Sequence, residues 1–206
     1  MKLTSESKLF IGIAVCTVFL VVGASYLMTR PAKPIAREKL ILTTTPTKGA
    51  KDAPHSLVVF SDFQCPACKL YSSVLSELTD NHPKDLLIAY RYFPLETHPQ
   101  SIPSAAAAAA AGNQGYFWEM EKLLFANQER LNDALYKELA ATLGMDTEAF
   151  EEALADPAMK NLVIADRDYG VSLGITATPT FFLDGIKLAP LTPANLVKEV
   201  EKVLTE

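Results

Sequence analysis

Two cysteines three positions apart stand where a strand gives way to a helix, and this junction restricts the fold more than any other feature of the chain. Residues 57–60 form a continuous apolar run, as expected of a strand that is covered on both faces. Apolar residues then recur at helical spacing, at Leu70, Val74, Leu75 and Leu78. The intervening sequence Cys65-Pro66-Ala67-Cys68 is therefore predicted to open the helix, with its proline in the first turn.

The position of the cysteines favours thiol chemistry. Unpaired N–H groups and the helix dipole stabilise an anion at a helix N-terminus, so the Cys65 thiolate is favoured. Helical residues three apart face each other, about 5–6 Å apart at Cβ, so Cys68 can reach Cys65. We therefore predict that Cys65 attacks disulfides and that Cys68 resolves the mixed disulfide. The alternatives are two inert buried cysteines and half of a zinc site. No metal is predicted, because the chain has only three cysteines and its histidines show no ligand spacing.

Composition indicates one globular domain. The 206 residues are 49% hydrophobic and 21% charged, which allows a sizeable core and excludes a disordered chain. A formal net charge of −5 argues against a nucleic-acid-binding protein, whose surface is basic. We predict a domain over residues 53–206, preceded by a proline-, threonine- and lysine-rich tether over 30–52 in which 39–45 is a candidate edge strand.

The predicted elements describe an α/β fold. The strand, the helix and a second strand over 86–93 imply a parallel crossover unit. Residues from about 99 to 172 show no strand pattern and are predicted as a helical insertion. Its predicted helix caps are Asn132, Asp146 and Asp156. Strands over 180–183 and 186–188 enclose an Asp-Gly turn, and a last helix begins at Thr192.

Residues 1–29 are predicted to anchor the chain in a membrane. Residues 9–28 carry no charge and are numerous enough to span a bilayer as a helix. A cleaved signal peptide is the alternative, since Val22-Gly23-Ala24 resembles a small-residue cleavage site. Basic residues after the segment outnumber those before it, which favours a cytoplasmic C-terminal side. A stable disulfide requires the opposite side, where conditions are oxidising.

A proline marks the start of the third predicted strand, in Thr178-Pro179-Thr180. One interpretation is a simple strand-start proline. The other is a cis proline, whose tight turn exposes the backbone of the preceding residue.

Three stretches of the chain together resemble the DsbA-like thiol-disulfide oxidoreductases of the thioredoxin superfamily. They are SLVVFSDFQCPAC (56–68), YRYFPLETHPQ (90–100) and ITATPTFFLDG (175–185). The resemblance covers roughly residues 46–206. It implies a thioredoxin-like α/β fold with a helical insertion between its βαβ and ββα halves, here preceded by the N-terminal membrane helix. It also implies that Cys65 and Cys68 are the redox pair and Pro179 a cis proline beside them, with Thr178 hydrogen bonding an extended substrate.

The sequence departs from the family pattern in two places. Many relatives carry an acidic residue six positions before the first cysteine, where it helps to move the proton of the resolving cysteine; here that residue is Val59. Asp62 and Glu96 are candidate substitutes, and the alternative is that both are solvated carboxylates. The strongest oxidants of the family carry a histidine between the cysteines. Pro66 and Ala67 stand there instead, which favours a less oxidising pair.

The resemblance implies an enzyme that donates its disulfide to reduced exported proteins or peptides and is reoxidised by a quinone-linked membrane partner. The catalytic domain is expected outside a single-pass anchor in the cytoplasmic membrane, or in the periplasm or medium after signal cleavage. No cofactor and no nucleic-acid partner are predicted. Alternatives are a reductase or isomerase of the same fold, a dithiol metal-binding protein and a peptide-binding chaperone. His98 is interpreted as a loop residue, with a role in the site as the alternative.

Overall fold

The N-terminal segment forms a unit of its own. The computed structural model describes residues 14–23, 25 and 33–205, and it divides the chain into compact units at Met1–Lys33 and Pro34–Glu206. The described residues of the predicted membrane segment are helical, and its other residues lie outside the described part. Of the helices in the described residues, none has both the length and the apolar character needed to cross a membrane.

A five-stranded mixed sheet forms the centre of the second unit. The strand order is β1-β3-β2-β4-β5, with β2 and β3 parallel and the other neighbours antiparallel. The parallel pair confirms the predicted crossover unit. The strands are β1 Thr47–Lys48, β2 His55–Ser61, β3 Leu86–Tyr92, β4 Thr180–Leu183 and β5 Ile186–Lys187.

The described part of the same unit contains eight α-helices, and four of them have a predicted residue as their N-cap. Asn132, Asp146, Asp156 and Thr192 each accept a backbone N–H at the start of a helix, as their side chains predict. The helices are α1 Arg37–Leu40, α2 Pro66–Asn81, α3 Ser101–Gly112, α4 Phe117–Ala126, α5 Asp133–Thr142, α6 Thr147–Ala155, α7 Pro157–Ser172 and α8 Pro193–Leu204. Helices α3 to α7 form the predicted insertion.

From Pro34 onward, the residues predicted as a tether belong to the same compact unit as the sheet. The edge strand is β1, not residues 39–45, and Leu40 at the end of α1 is 1% exposed. Arg37 Nη1 donates to Ala53 O at 2.6 Å, and Arg91 Nη1 donates to Leu40 O at 2.8 Å. Only a few residues of the segment make these contacts, so its proline-rich composition did not indicate them.

Strand β2 places the cysteines on one face of the sheet. Side chains alternate between the two faces along a strand. Val59 belongs to the larger hydrophobic cluster, which also contains Cys65 and Cys68, whereas Val58 and Phe60 belong to the smaller cluster. Both faces of β2 are therefore covered, as its continuous apolar run predicts.

The helical insertion packs closely on this core. The seven alanines at 105–111 are all buried, and their small side chains let α3 pack against α4 and α7. Arg91 of β3 pairs with Asp166 of α7 at 2.8 Å, and the arginine side chain is 1% exposed. This ion pair links the insertion to the sheet.

Candidate active site

Cys65 caps the N-terminus of α2. It has an extended backbone, and Pro66 follows in the first turn, where its missing N–H breaks no helical hydrogen bond. The Cys65 N–H donates to Asp62 O at 3.1 Å, which closes the turn between β2 and α2. Cys65 is 6% exposed and Cys68 2%, so Cys68 lies deeper, as the helical spacing predicts.

The two cysteines are free thiols with opposite acid–base character. A hydrogen bond from Cys68 lowers the pKa of Cys65 to about 5, and the Thr178 side chain and the N–H groups of Cys68 and Ala67 contribute, against the opposing effect of burial. Burial raises the pKa of Cys68, and the hydrogen bond and negative charge of Cys65 raise it further. At neutral pH the pair is therefore a Cys65 thiolate beside a Cys68 thiol.

Thr178 and Pro179 lie against Cys65. The Thr178–Pro179 peptide bond is cis, and Cys65 Sγ lies 3.6 Å from Thr178 O. The same loop borders a groove of about 400 Å³ that is also lined by Ala67 and Tyr71. The structure thus brings the predicted redox pair, Thr178 and Pro179 together beside an open groove.

Asp62 fixes the loop that carries Cys65. Its buried carboxylate accepts the N–H groups of Gln64 at 2.8 Å and Leu95 at 2.9 Å, and its Oδ2 lies 2.8 Å from His98 Nδ1. The carboxylate is thus held by three partners. His98 is a loop residue as interpreted, and its ring ties the segment after β3 to the site.

Glu96 does not lie at the site. Its side chain is 84% exposed and forms an ion pair with Arg167 of α7. The prediction that Glu96 replaces the missing acid is wrong, because this ion pair holds the carboxylate at the surface.

Sequence reasoning missed two buried polar residues of the insertion, one of which contacts the Cys65 backbone. Gln128 Nε2 donates to Phe63 O at 2.8 Å and to Cys65 O at 3.0 Å, and no motif marks it. Glu121 is 2% exposed within α4, and its signal was an acidic residue at an apolar position of a helical pattern. Among the described residues, no three His, Cys, Asp or Glu side chains lie close enough to hold a metal ion.

A family model described as thioredoxin matches residues 42–202. The chain belongs to the thioredoxin family. This result confirms the thioredoxin-superfamily part of the resemblance, which rested on the cysteine pair and the two other stretches.

Solved structures of family members share the fold. The thiol-disulfide exchange protein α-DsbA2 of Wolbachia pipientis is 18% identical with a TM-score of 0.72, covering 81% of this chain and 91% of its own. BdbD of Bacillus subtilis is 21% identical with a TM-score of 0.71, covering 86% and 100%. A thioredoxin-like oxidoreductase of Silicibacter pomeroyi is 22% identical with a TM-score of 0.73, covering 84% and 99%. These proteins and this chain therefore share the thioredoxin-like α/β fold.

Curated relatives of this thioredoxin-family chain are longer proteins. The Na⁺/H⁺ antiporter NhaA 1 of Mycolicibacterium vanbaalenii is 35% identical over 158 residues, which are 75% of this chain and 26% of the antiporter. NhaA 3 of Salinispora tropica is 35% identical over 139 residues, 67% of this chain and 21% of its own. The chain spans about a quarter of the length of the curated relatives it matches.

Proposed function

We propose that this chain is a membrane-tethered thiol-disulfide oxidoreductase that donates its Cys65–Cys68 disulfide to exported proteins. The observation that carries the proposal is the asymmetric pair. A thiolate-stabilised sulfur lies against Thr178, which borders a groove, and a neutral thiol lies deeper. In this account, a substrate thiolate attacks Cys65 Sγ and Cys68 leaves. A second substrate thiol then releases Cys65 and closes the substrate disulfide.

The lowered pKa of Cys65 supports the donor direction. A stabilised thiolate favours the reduced form of the pair, so the disulfide form is the readier oxidant. The backbone of Thr178 beside Cys65 is suited to pair with an extended peptide, with Pro179 at the strand start. We further propose, from the family resemblance, that a quinone-linked membrane partner reoxidises the Cys65–Cys68 pair.

Membrane tethering rests on the uncharged run at 9–28. The relatives' name, Na⁺/H⁺ antiporter, is that of a membrane protein and supports a location at the membrane. We place the catalytic domain on the extracytoplasmic side, where disulfides persist. N-terminal sequencing of the mature protein tests the anchor: an intact N-terminus supports it, and a chain that begins at Ser25 contradicts it.

Disulfide transfer to a reduced dithiol peptide tests the activity. The oxidised full chain, with Cys16→Ser to remove the third thiol, is mixed with the peptide, and Cys65→Ser serves as the control. We expect peptide disulfide to form as the protein pair becomes reduced, and no transfer by the control. If the oxidised chain leaves the peptide reduced while the reduced chain cleaves the peptide disulfide, the protein is a reductase.

A further inference from the structure

Glu121 is a buried carboxyl group that the exchange steps above do not use. It lies on the core side of α4, beside the buried residues Met120, Leu124 and Phe125. Burial raises its pKa to about 7, and a hydrogen bond from Ser72, with the charges of Lys122 and Lys48, only partly opposes this effect. An isolated buried carboxylate is unfavourable, so this position calls for an explanation.

Ser72 connects Glu121 to the helix that carries the resolving cysteine. Ser72, which hydrogen bonds the carboxyl group, is four residues after Cys68 on α2. Helical residues four apart share a face, about 5–6 Å apart at Cβ. Helix α2 packs against α4, and both the Cys68 thiol and the Glu121 carboxyl group act on the buried Tyr90 hydroxyl group.

The Tyr90 hydroxyl group lies in the same interior region. Burial raises the pKa of Tyr90, and the negative charges of Cys68, Glu121 and Asp62 raise it too, whereas the Ser61 hydroxyl group lowers it. The hydroxyl makes no well-formed hydrogen bond to the residues that the structure describes. Cys68, Tyr90 and Glu121, with the hydroxyl groups of Ser61 and Ser72, form what we call the interior polar cluster.

The outer side of this cluster reaches solvent. Ser72 also lines an open depression of about 480 Å³ between α2 and α4, together with Ser76, Asp80 and Lys122. The Lys48–Asp80 ion pair, at 2.9 Å, lies beside it. Ser72, the hydrogen-bond partner of Glu121, therefore connects the buried carboxyl group to a surface that solvent reaches.

We propose that Glu121 exchanges the Cys68 proton with solvent through the interior polar cluster. The inference rests on the proposed function, in which Cys68 must gain or lose this proton in every cycle. Asp62 is the other nearby carboxylate, and its oxygens are already held by two backbone N–H groups and His98. The charged groups that face Glu121 are Lys122 on its own helix and Lys48 on β1.

The proton and electron balance is closed in both directions. When a substrate thiolate bonds to Cys65, the Cys65–Cys68 bond breaks, its electron pair goes to Cys68, and Cys68 takes the proton from Glu121. The Glu121 carboxylate then regains a proton from solvent. In the reverse direction, Cys68 gives its proton to the carboxylate while its sulfur bonds to Cys65 and expels the substrate thiolate.

Stopped-flow reaction with the aromatic disulfide DTNB separates the two sulfurs. The reduced full chain, in neutral detergent and with Cys16→Ser, releases one coloured thiolate when Cys65 attacks and a second when Cys68 resolves. In Glu121→Gln we expect an unchanged first phase and a second phase about tenfold slower at pH 7, since a positioned general base contributes at least this much. The wild-type inflection of the second phase near pH 7 should disappear. Glu119→Gln, an exposed change on the same helix, should match the wild type.

A second variant keeps the carboxyl group. Glu121→Asp should retain a pH inflection in the second phase, which a purely structural role does not require, and it carries the test if Glu121→Gln fails to fold. An unchanged second phase in Glu121→Gln, or a folded Glu121→Asp without the inflection, overturns the role of Glu121. Absence of the first phase from the wild type would instead refute the proposed function.

Discussion

Replacing Glu121 by glutamine should change how stability depends on pH. The folded state holds the Glu121 proton up to about pH 7, whereas the unfolded chain releases it near the ordinary pKa of 4.5. Between these values the unfolded chain binds fewer protons, so wild-type stability falls as pH rises. The interval between 4.5 and about 7 corresponds to about 3 kcal/mol of free energy. Glutamine has a similar shape and does not titrate, so the variant avoids this loss.

Urea unfolding of the reduced proteins from pH 4 to pH 8 measures the effect. The free energy of unfolding of Glu121→Gln, minus that of the wild type, should increase by about 3 kcal/mol across this range. Taking this difference removes the titrations that the two proteins share. The exposed Glu119→Gln variant should show a difference that stays flat with pH. Parallel curves for Glu121→Gln and wild type would refute a protonated Glu121 in the folded protein near neutral pH.

Three further outcomes are expected. Asp166→Asn should lower the free energy of unfolding by about 3–5 kcal/mol, measured in urea, because it leaves the buried Arg91 charge without its ion-pair partner. Gly170→Ala should lower it by about 1–3 kcal/mol, because a Cβ there would lie 2.7 Å from the Phe93 ring; equal stability would contradict this contact. Alkylation of Cys65 by iodoacetamide should be nearly constant from pH 6 to pH 8, whereas a tenfold rise with each pH unit would indicate an ordinary thiol.

Local signals were sufficient for most of the fold. The apolar run of β2, the prolines at helix starts and the polar caps each act through neighbours in sequence, so they could be interpreted without a structure. The arrangement of residues 34–48, within the predicted tether of 30–52, did not follow from the sequence because it depends on distant contacts. Leu40, for example, is fixed by a hydrogen bond from Arg91 of β3.

The candidate site could likewise be predicted only where its signals are local in sequence. The spacing of Cys65 and Cys68 is local, so the helix start and the deeper second cysteine followed from the sequence. The hydrogen-bond partners that the insertion supplies to the site did not follow from the sequence. Gln128 lies 63 positions from Cys65, and only the folded chain brings its amide to the Cys65 carbonyl. Glu96 was chosen for its nearness in sequence, yet its side chain faces Arg167 at the surface.

Trapping of mixed disulfides tests the central claim most directly, namely that Cys65 attacks and Cys68 resolves. Cys68→Ser and Cys65→Ser chains, both with Cys16→Ser, are expressed in bacteria, and covalent complexes are identified on non-reducing gels and by mass spectrometry. We expect complexes joined through Cys65 to accumulate in the Cys68→Ser chain and to be absent from the Cys65→Ser chain. Equal trapping by the Cys65→Ser chain would contradict the assignment.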